Sequence, residues 1–317
     1  MPTKQLPDIP DEIWEQIISK ISLDRYLSQL STLSSRFLSL TNQFKRTLFI
    51  TKPTARFLPR LLRRFPNLKH ISFEQFYDDP DEILGEISRF GVKLETLDLS
   101  NQVGFPVKWL IGMKGGCLEG IRVLRLKGVG GLGDRGLGLI GKLMPELVEL
   151  DLSEPRDDYG DAWGDEGKLC EITDDGVAVL AGRLKGLRKI DLSGNCLVSD
   201  RSVAVLCEKC MDLEEIVVDK CSFVTKEGIS RVLRECVNLK SVRLHGMEVL
   251  SPEFSEPLGC ARNVNVIHFA YMGVSDGLLL EIIRAKLPLR KFTLFHCQNF
   301  TFSGILSLLR VYQGLEY

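Results

Sequence analysis

The feature that most constrains this 317-residue chain is a short aliphatic phrase that returns at nearly constant intervals. One aliphatic residue, two variable ones, a second aliphatic, one variable and a third make up Leu94-Glu95-Thr96-Leu97-Asp98-Leu99. The phrase recurs from Ile121, Leu147, Leu187, Leu213, Leu239, Val264 and Leu289, with a weaker copy at Leu68 to Phe73, and most copies start 25 to 27 residues apart. A unit of that length cannot bury its own apolar face, so successive units must stack. The chain is therefore expected to be an α/β solenoid whose inner surface binds something.

Each phrase ends in period-2 alternation, as in Leu97-Asp98-Leu99, which sets aliphatics on one face of a short strand and variable residues on the other. The spacing then changes. In Ile172-Thr173-Asp174-Asp175-Gly176-Val177, Thr173 or Asp174 can cap a helix whose apolar residues follow at helical intervals. Val198-Ser199-Asp200, Val224-Thr225-Lys226 and Val274-Ser275-Asp276 repeat the device. Strand, turn, helix and return make one unit, and stacked units give a parallel inner sheet with helices outside.

These residues resemble the leucine-rich repeat family in its cysteine-containing subtype, over about residues 67 to 317. Cys117, Cys210, Cys236 and Cys260 stand just before strand phrases, and Cys196, Cys221 and Cys297 just after them. Nine cysteines in a chain with no amino-terminal apolar stretch are expected to be reduced thiols packed as small hydrophobes, in a protein of the nucleus or cytoplasm. Cys207-Glu208-Lys209-Cys210 has the spacing of a metal-ligand pair but no second pair, so helix packing is expected of it, with no zinc.

Residues 6 to 49 have a different rhythm. Ile13, Trp14, Ile17, Ile18 and Ile21 follow helical spacing behind Pro10; Tyr26, Leu27, Leu30 and Leu33 belong to a second helix, and Phe37, Leu38 and Leu40 to a third. About forty residues make a small core, and these helices carry more large apolar side chains than it can cover. At about 1.5–3 kcal/mol for each side chain buried, the surplus suits a partner surface. The segment is similar to an F-box, on Ile9-Pro10-Asp11-Glu12-Ile13, the aliphatics that follow, and Arg36-Phe37. Ile9 stands where that family has Leu, and Phe37 where it has Trp. The resemblance implies docking on a Skp-type linker protein, and through it on a cullin–RING assembly, by Pro10, Ile13, Trp14, Ile17, Leu27, Leu30, Leu33 and Phe37, each of which competes for a place in the small core.

Charge is balanced overall at −1, which is no nucleic-acid-binding composition, and no apolar run has the length of a membrane span. Locally it is uneven. No acid occurs from Arg25 through Phe73, and residues 50–66 read as a basic helical linker in which Arg56, Arg60, Arg63 and Arg64 share one helical face despite Pro59, either as a solvated surface or as an anion site. The interval from Leu147 to Leu187 is 40 residues, and the surplus, 154–168, carries six acids and two bases around Tyr159 and Trp163. It leaves the carboxyl end of a strand, so it belongs at the rim of the inner surface, as a disordered acidic insertion or as a flap over a basic partner.

Register lists the inward positions as Asp98, Arg125, Asp151, Asp191, Val217, Arg243, His268 and Thr293, then Ser100, Lys127, Ser153, Ser193, Asp219, His245, Ala270 and Phe295. Neighbouring strands stand about 4.8 Å apart, so adjacent members share a ligand. Asp151, Tyr159, Trp163, Asp191, Asp219, Arg243, His245 and His268 are the candidate substrate-binding residues. Paired carboxylates or paired histidines on an open wall, with no nucleophile motif and no phosphate loop, point away from catalysis, and no cofactor is expected. Two functions remain. One is a substrate-recognition adaptor of an SCF-type ubiquitin ligase, as the F-box resemblance implies; the other is a repeat scaffold or inhibitor with a helical cap, unconnected to ubiquitin.

Overall fold

The computed structural model describes residues 9–21, 24–76, 78–112, 118–155, 171–246 and 255–316. The chain opens with three helices, α1 (Asp11–Ser19), α2 (Asp24–Ser31) and α3 (Ser35–Phe44). Ile18, Leu27 and Leu40 form their small core, with Trp14, Ile21, Leu30 and Phe44 packed against it. Ser34 caps α3 by accepting from the Phe37 amide, and Trp14 meets Phe37 edge-on at 4.8 Å. Arg36 closes the bundle, its guanidinium donating to Asp11 Oδ1 at 2.6 Å and to the Ile9 carbonyl at 2.6 Å.

Ten parallel strands follow in one sheet, in sequence order: β1 (Thr47–Thr51), β2 (His70–Gln75), β3 (Thr96–Asp98), β4 (Val123–Arg125), β5 (Glu149–Asp151), β6 (Lys189–Asp191), β7 (Glu215–Val217), β8 (Ser241–His245), β9 (Val266–Ala270) and β10 (Lys291–Phe295). The helices between and after them are α4 (Lys52–Ala55), α5 (Leu58–Arg64), α6 (Pro80–Arg89), α7 (Val107–Gly112), α8 (Asp134–Leu143), α9 (Asp174–Arg183), α10 (Asp200–Lys209), α11 (Lys226–Glu235), α12 (Ser255–Cys260), α13 (Asp276–Ala285) and α14 (Phe302–Val311). One apolar core runs between sheet and helices from Leu48 to Leu308. The middle aliphatic of the phrase forms its spine, with Leu97 opposite Leu124, then Leu150, Ile190, Ile216, Val242, Ile267 and Phe292.

Two expectations are corrected by this sheet. Residues 50–66 are no linker: β1 pairs with β2 from Thr47 opposite His70, and Ile50, Leu58 and Leu62 are buried in the common core, so this stretch is the first unit of the solenoid. The phrase is unreadable there because the position three before Leu48 is Lys45. Nor do the four arginines share one helix. Pro59 sits in the first turn of α5, where its missing N–H costs nothing, and Arg56 ends the separate short helix α4. The long interval after Leu147 adds no strand between its neighbours, since Leu150 pairs directly with Ile190. Of the insertion, 156–170 lie outside the described residues, Tyr159 and Trp163 among them.

Polar ladders hold the units in line. Thr173, Ser199, Thr225 and Thr301 each cap their own helix and also bind an aspartate at the start of the previous one. Thr225 donates to Asp200 from its amide at 2.8 Å and its hydroxyl at 2.6 Å, and Thr301 treats Asp276 identically. Asp134 accepts in the same way from Thr173, and Asp174 from Ser199. Gly176, Gly228 and Gly304, each the third residue of its helix, leave room for the aspartate of the helix before: a Cβ on Gly228 would stand 2.1 Å from Asp200 Oδ1. Where serine replaces glycine, Ser202 donates to Asp174 from both amide and hydroxyl. A second set of bonds lies past β3, β6, β7 and β10. The amides of Gln102 and Asn195 and the thiols of Cys221 and Cys297 donate to main-chain carbonyls of the preceding unit, Asn195 to Leu152 at 3.0 Å and Cys221 to Leu192 at 3.2 Å. Only a donor is needed, as the amide oxygens of Gln102 and Asn195 accept nothing, which is why a thiol can replace an amide.

Cys207, Cys210, Cys221 and Cys236 are buried thiols. Cys207 faces Cys236 across α10 and α11, Sγ to Sγ 3.0 Å, so its contact is the next helix and not Cys210. Hydrogen bonding to Cys236 and burial push the Cys207 thiol far up, and burial raises Cys210 to about 11 and Cys221 to about 12. Cys196 departs from the all-thiol expectation: it is disulfide-bonded.

Candidate binding surfaces

The inner wall of the sheet is the first candidate. Asp98, Arg125, Asp151 and Asp191 stand side by side by register, and Arg243, His268 and Thr293 continue the row on β8 to β10. Val217, between the two groups, is buried. The next inward series changes character. Ser100, Ser153 and Ser193 are buried, and each donates its amide to the aspartate two residues earlier, Ser153 adding its hydroxyl at 2.6 Å. These serines close the turn after the strand and are not ligand positions as their register suggested. Asp98, Asp151 and Asp191 thus spend one carboxylate oxygen on their own turns and keep the other for the wall.

Asp219 differs. Among the described residues its carboxylate accepts no hydrogen bond and joins no ion pair, while His245, His268, Arg243 and Lys220 lie near it. Burial lifts its carboxyl above the ordinary range against the pull of those cations. Asp191 is also raised, first by burial and then by Asp151 and Asp219, with Ser193 opposing. His268 is depressed by burial and by Arg243, against Asp219. Arg243 itself is held by Glu215 at 2.9 Å. A cleft of about 600 Å³ opens beside Asp219 between the turns after β7 and β8, lined also by Lys220, Ser222, Thr225, Lys226, Arg243 and His245. A shallower hollow of about 190 Å³ at the centre of the wall takes in Arg125, Asp151, Asp191 and Arg243. The candidate residues thus fall into two groups: Asp151 and Asp191 at the centre, and Asp219, Arg243, His245 and His268 toward the cleft.

No protein-family model matches the sequence, and a search of curated proteins finds no match. Among solved structures the chain is similar to TLR13 in its complex with ssRNA13, at 16% identity and a TM-score of 0.50, over 91% of this chain and 36% of that one. The fold is a leucine-rich-repeat solenoid. Two internalins of Listeria monocytogenes also align, inlC2 at 18% identity (TM-score 0.43, 63% of this chain, 70% of that) and inlF at 14% (0.47, 96% and 93%). The solenoid spans about a third of the TLR13 chain.

The second candidate surface is on the helical head, where the structure separates the two roles that compete in the sequence. Leu27 is buried in the small core, and Trp14, Leu30 and Phe37 are half-buried around it. Ile13, Ile17 and Leu33 are 44%, 45% and 66% exposed, and Pro10 is exposed beside them. The basic stretch is partly engaged: Arg64 donates to Asn42 at 2.9 Å and lies over Phe65, and Arg63 lies over Phe90. With Arg46 donating to the Asn67 carbonyl and Asn67 to that of Gln43, these contacts fix the head to the first unit. Arg56 and Arg60 take no part in those bonds; Arg56 follows α4, and Arg60 lies on α5 with Arg63 and Arg64.

Sequence reasoning placed His245 and Phe295 on the inner wall but passed over Tyr271 and His296, which join them. The ends of β8 and β10 and the turns after β9 and β10 bring His245, Tyr271, Phe295 and His296 into ring contact at the rim of the wall. The signal was legible, because Tyr271 and His296 fall at a fixed offset after the phrase where other units have Asn101, Gly128, Gly194 and Gly246.

Proposed function

We propose that this protein is a substrate-recognition adaptor of an SCF-type ubiquitin ligase. The helical head docks on a Skp-type linker protein, and the inner wall of the repeats holds a protein substrate for ubiquitination and degradation. The chain performs no chemistry; ubiquitin transfer belongs to the cullin–RING assembly, in the nucleus or cytoplasm. The observation that carries this reading is the apolar surface of Pro10, Ile13, Ile17 and Leu33, left open by a bundle whose own core is Ile18, Leu27 and Leu40. A head that served only to cap the solenoid has no use for that surface. The wall supports the second half, with carboxylates and cations set in separate groups that suit a partner bearing both charges.

The hydrogen bonds from Arg46, Arg64 and Asn67 that fix the head to the first unit favour the other reading, a scaffold or inhibitor with a helical cap. Coexpression with a Skp-type linker protein separates the two. A complex that survives gel filtration, and is lost in Ile13→Glu and Leu33→Glu with the circular dichroism unchanged, supports the adaptor. Failure of the unaltered protein to form that complex sinks it and leaves the cap.

A further inference from the structure

The turns after β3 to β10 share one residue in the left-handed region, running from Asn101 through Gly128, Glu154, Gly194, Lys220 and Gly246 to Tyr271 (φ 52°) and His296 (φ 49°). The geometry is imposed by stacking: the amide of this residue donates to the end of the next strand, Gly246 to Ala270 and Tyr271 to Phe295. Glycine and asparagine adopt it readily, whereas a bulky ring there carries strain. Strain retained at an exposed position points to function. Tyr271 is 53% exposed and Phe295 46%, so little burial offsets it.

The rings form one surface. Tyr271 stacks on His296 with centroids 5.0 Å apart and planes at 15°, meets Phe295 at 5.4 Å and leans on His245 at 5.0 Å. Ala270 lies opposite both His245 and Phe295 in register, so the strand between them contributes only a methyl group and rings from three successive units meet across it. Through His245 this surface joins the 600 Å³ cleft, whose lining sets Lys220, Lys226 and Arg243 against Asp219 and Glu227, and where Lys220 and Lys226 have no ion-pair partner among the described residues. The middle of the wall is mixed by contrast, with Arg125 set among Asp98, Asp151 and Asp191.

We propose that this rim anchors a partner segment bearing an aromatic side chain flanked by acidic residues. The partner's ring stacks on the Tyr271 platform, and its carboxylates meet Lys220 and Lys226. Stacking with a planar ring and attraction to acids follow from the chemistry of the two halves, and a basic partner ring segment is turned away by the same lysines. The proposal rests on the repeats being a protein-binding wall; it is independent of what the head docks on.

The test titrates the full chain with three short labelled peptides: a tryptophan between glutamates, the same tryptophan between lysines, and an alanine between glutamates. The first is expected to bind more tightly than the other two by at least about tenfold, the scale of a single anchor residue. Tyr271→Gly should remove that advantage while leaving Tm unchanged or higher, because glycine suits the turn. Phe295→Ser, at an ordinary strand position, should weaken binding as well. Equal affinity for the three peptides overturns the proposal, as does a Tyr271→Gly chain that melts earlier yet binds as before. Linker-protein binding measured on the same variants should not change, so failure of the head reading and failure of this one are told apart.

Discussion

The ladder of aspartates can be tested by a double-mutant cycle at Asp200 and Gly228. Asp200 accepts two hydrogen bonds from Thr225, at 2.8 and 2.6 Å, and Gly228 is the residue whose missing side chain makes space for that carboxylate. Asp200→Ala removes both bonds; at about 1 kcal/mol each, below the charge-assisted range because Thr225 is exposed, the loss is about 2 kcal/mol. Gly228→Ala puts a Cβ 2.1 Å from Asp200 Oδ1, so the carboxylate must leave. The same two bonds are lost, with about 1 kcal/mol of added strain offset by about 1 kcal/mol gained from alanine in a helix. Each single change therefore costs about 2 kcal/mol, and independent sites would sum to about 4. In the double variant the carboxylate is gone, nothing clashes, and only the helical gain remains, for a net cost of about 1 kcal/mol and a coupling of about 3. Urea unfolding followed by circular dichroism measures all four corners, with equal m-values as the check that one transition is being compared. Additive costs, or a Gly228→Ala chain as stable as the parent, would refute the reasoning.

Further outcomes follow from the same ladders. Burial alone would raise the Asp174 carboxyl, but hydrogen bonds from Ser199 and Ser202 outweigh it and hold it below the ordinary range. A depressed acid stabilises fully above its unfolded pKa of about 3.9 and loses that contribution as pH falls through the lower folded value. Asp174→Asn should therefore lower Tm at neutral pH and flatten its fall on the acid side, as a pH series of thermal melts will show. At Asn195, whose amide donates to Leu152 and Leu192 in a fully buried site, alanine should cost about 2 kcal/mol and cysteine clearly less, since Cys221 fills the equivalent place with a thiol. Equal losses for the two variants in denaturant unfolding would contradict the donor-only requirement.

The legible part of this protein is the part written by periodicity. The spine from Leu97 to Phe292, the caps at Thr173, Ser199 and Thr225, and the burial of Cys210 and Cys236 follow from offsets that one unit repeats to the next. β1 was hidden because Lys45 breaks the phrase, and the pairing of Thr47 with His70 depends on a neighbour only the fold supplies. The roles of Ser153 and Ser193 were misread for a related reason: alternation assigns a face, but the turn that follows directs the Ser153 hydroxyl and the Ser193 amide onto the aspartate at the strand's own end. In the head, helical spacing placed Ile13, Ile17, Leu27 and Leu33 alike as apolar, and could not say which of them a core of three residues would claim.

By itself the sequence determined the repeating unit and therefore the solenoid, because an aliphatic phrase at a constant interval has one economical way to bury itself. It also set the chemical content of the inner wall, residue by residue. Tertiary structure alone decided which of those residues are free to bind. Among the described residues the Asp219 carboxylate is left without a hydrogen bond while those of Asp151 and Asp191 are tied to their serines, and Tyr271 and His296 stack because two successive units hold their turns in one geometry. The stack of Tyr271 on His296 depends on residues 25 apart in the chain meeting across a strand spacing of about 4.8 Å, and no local pattern records it.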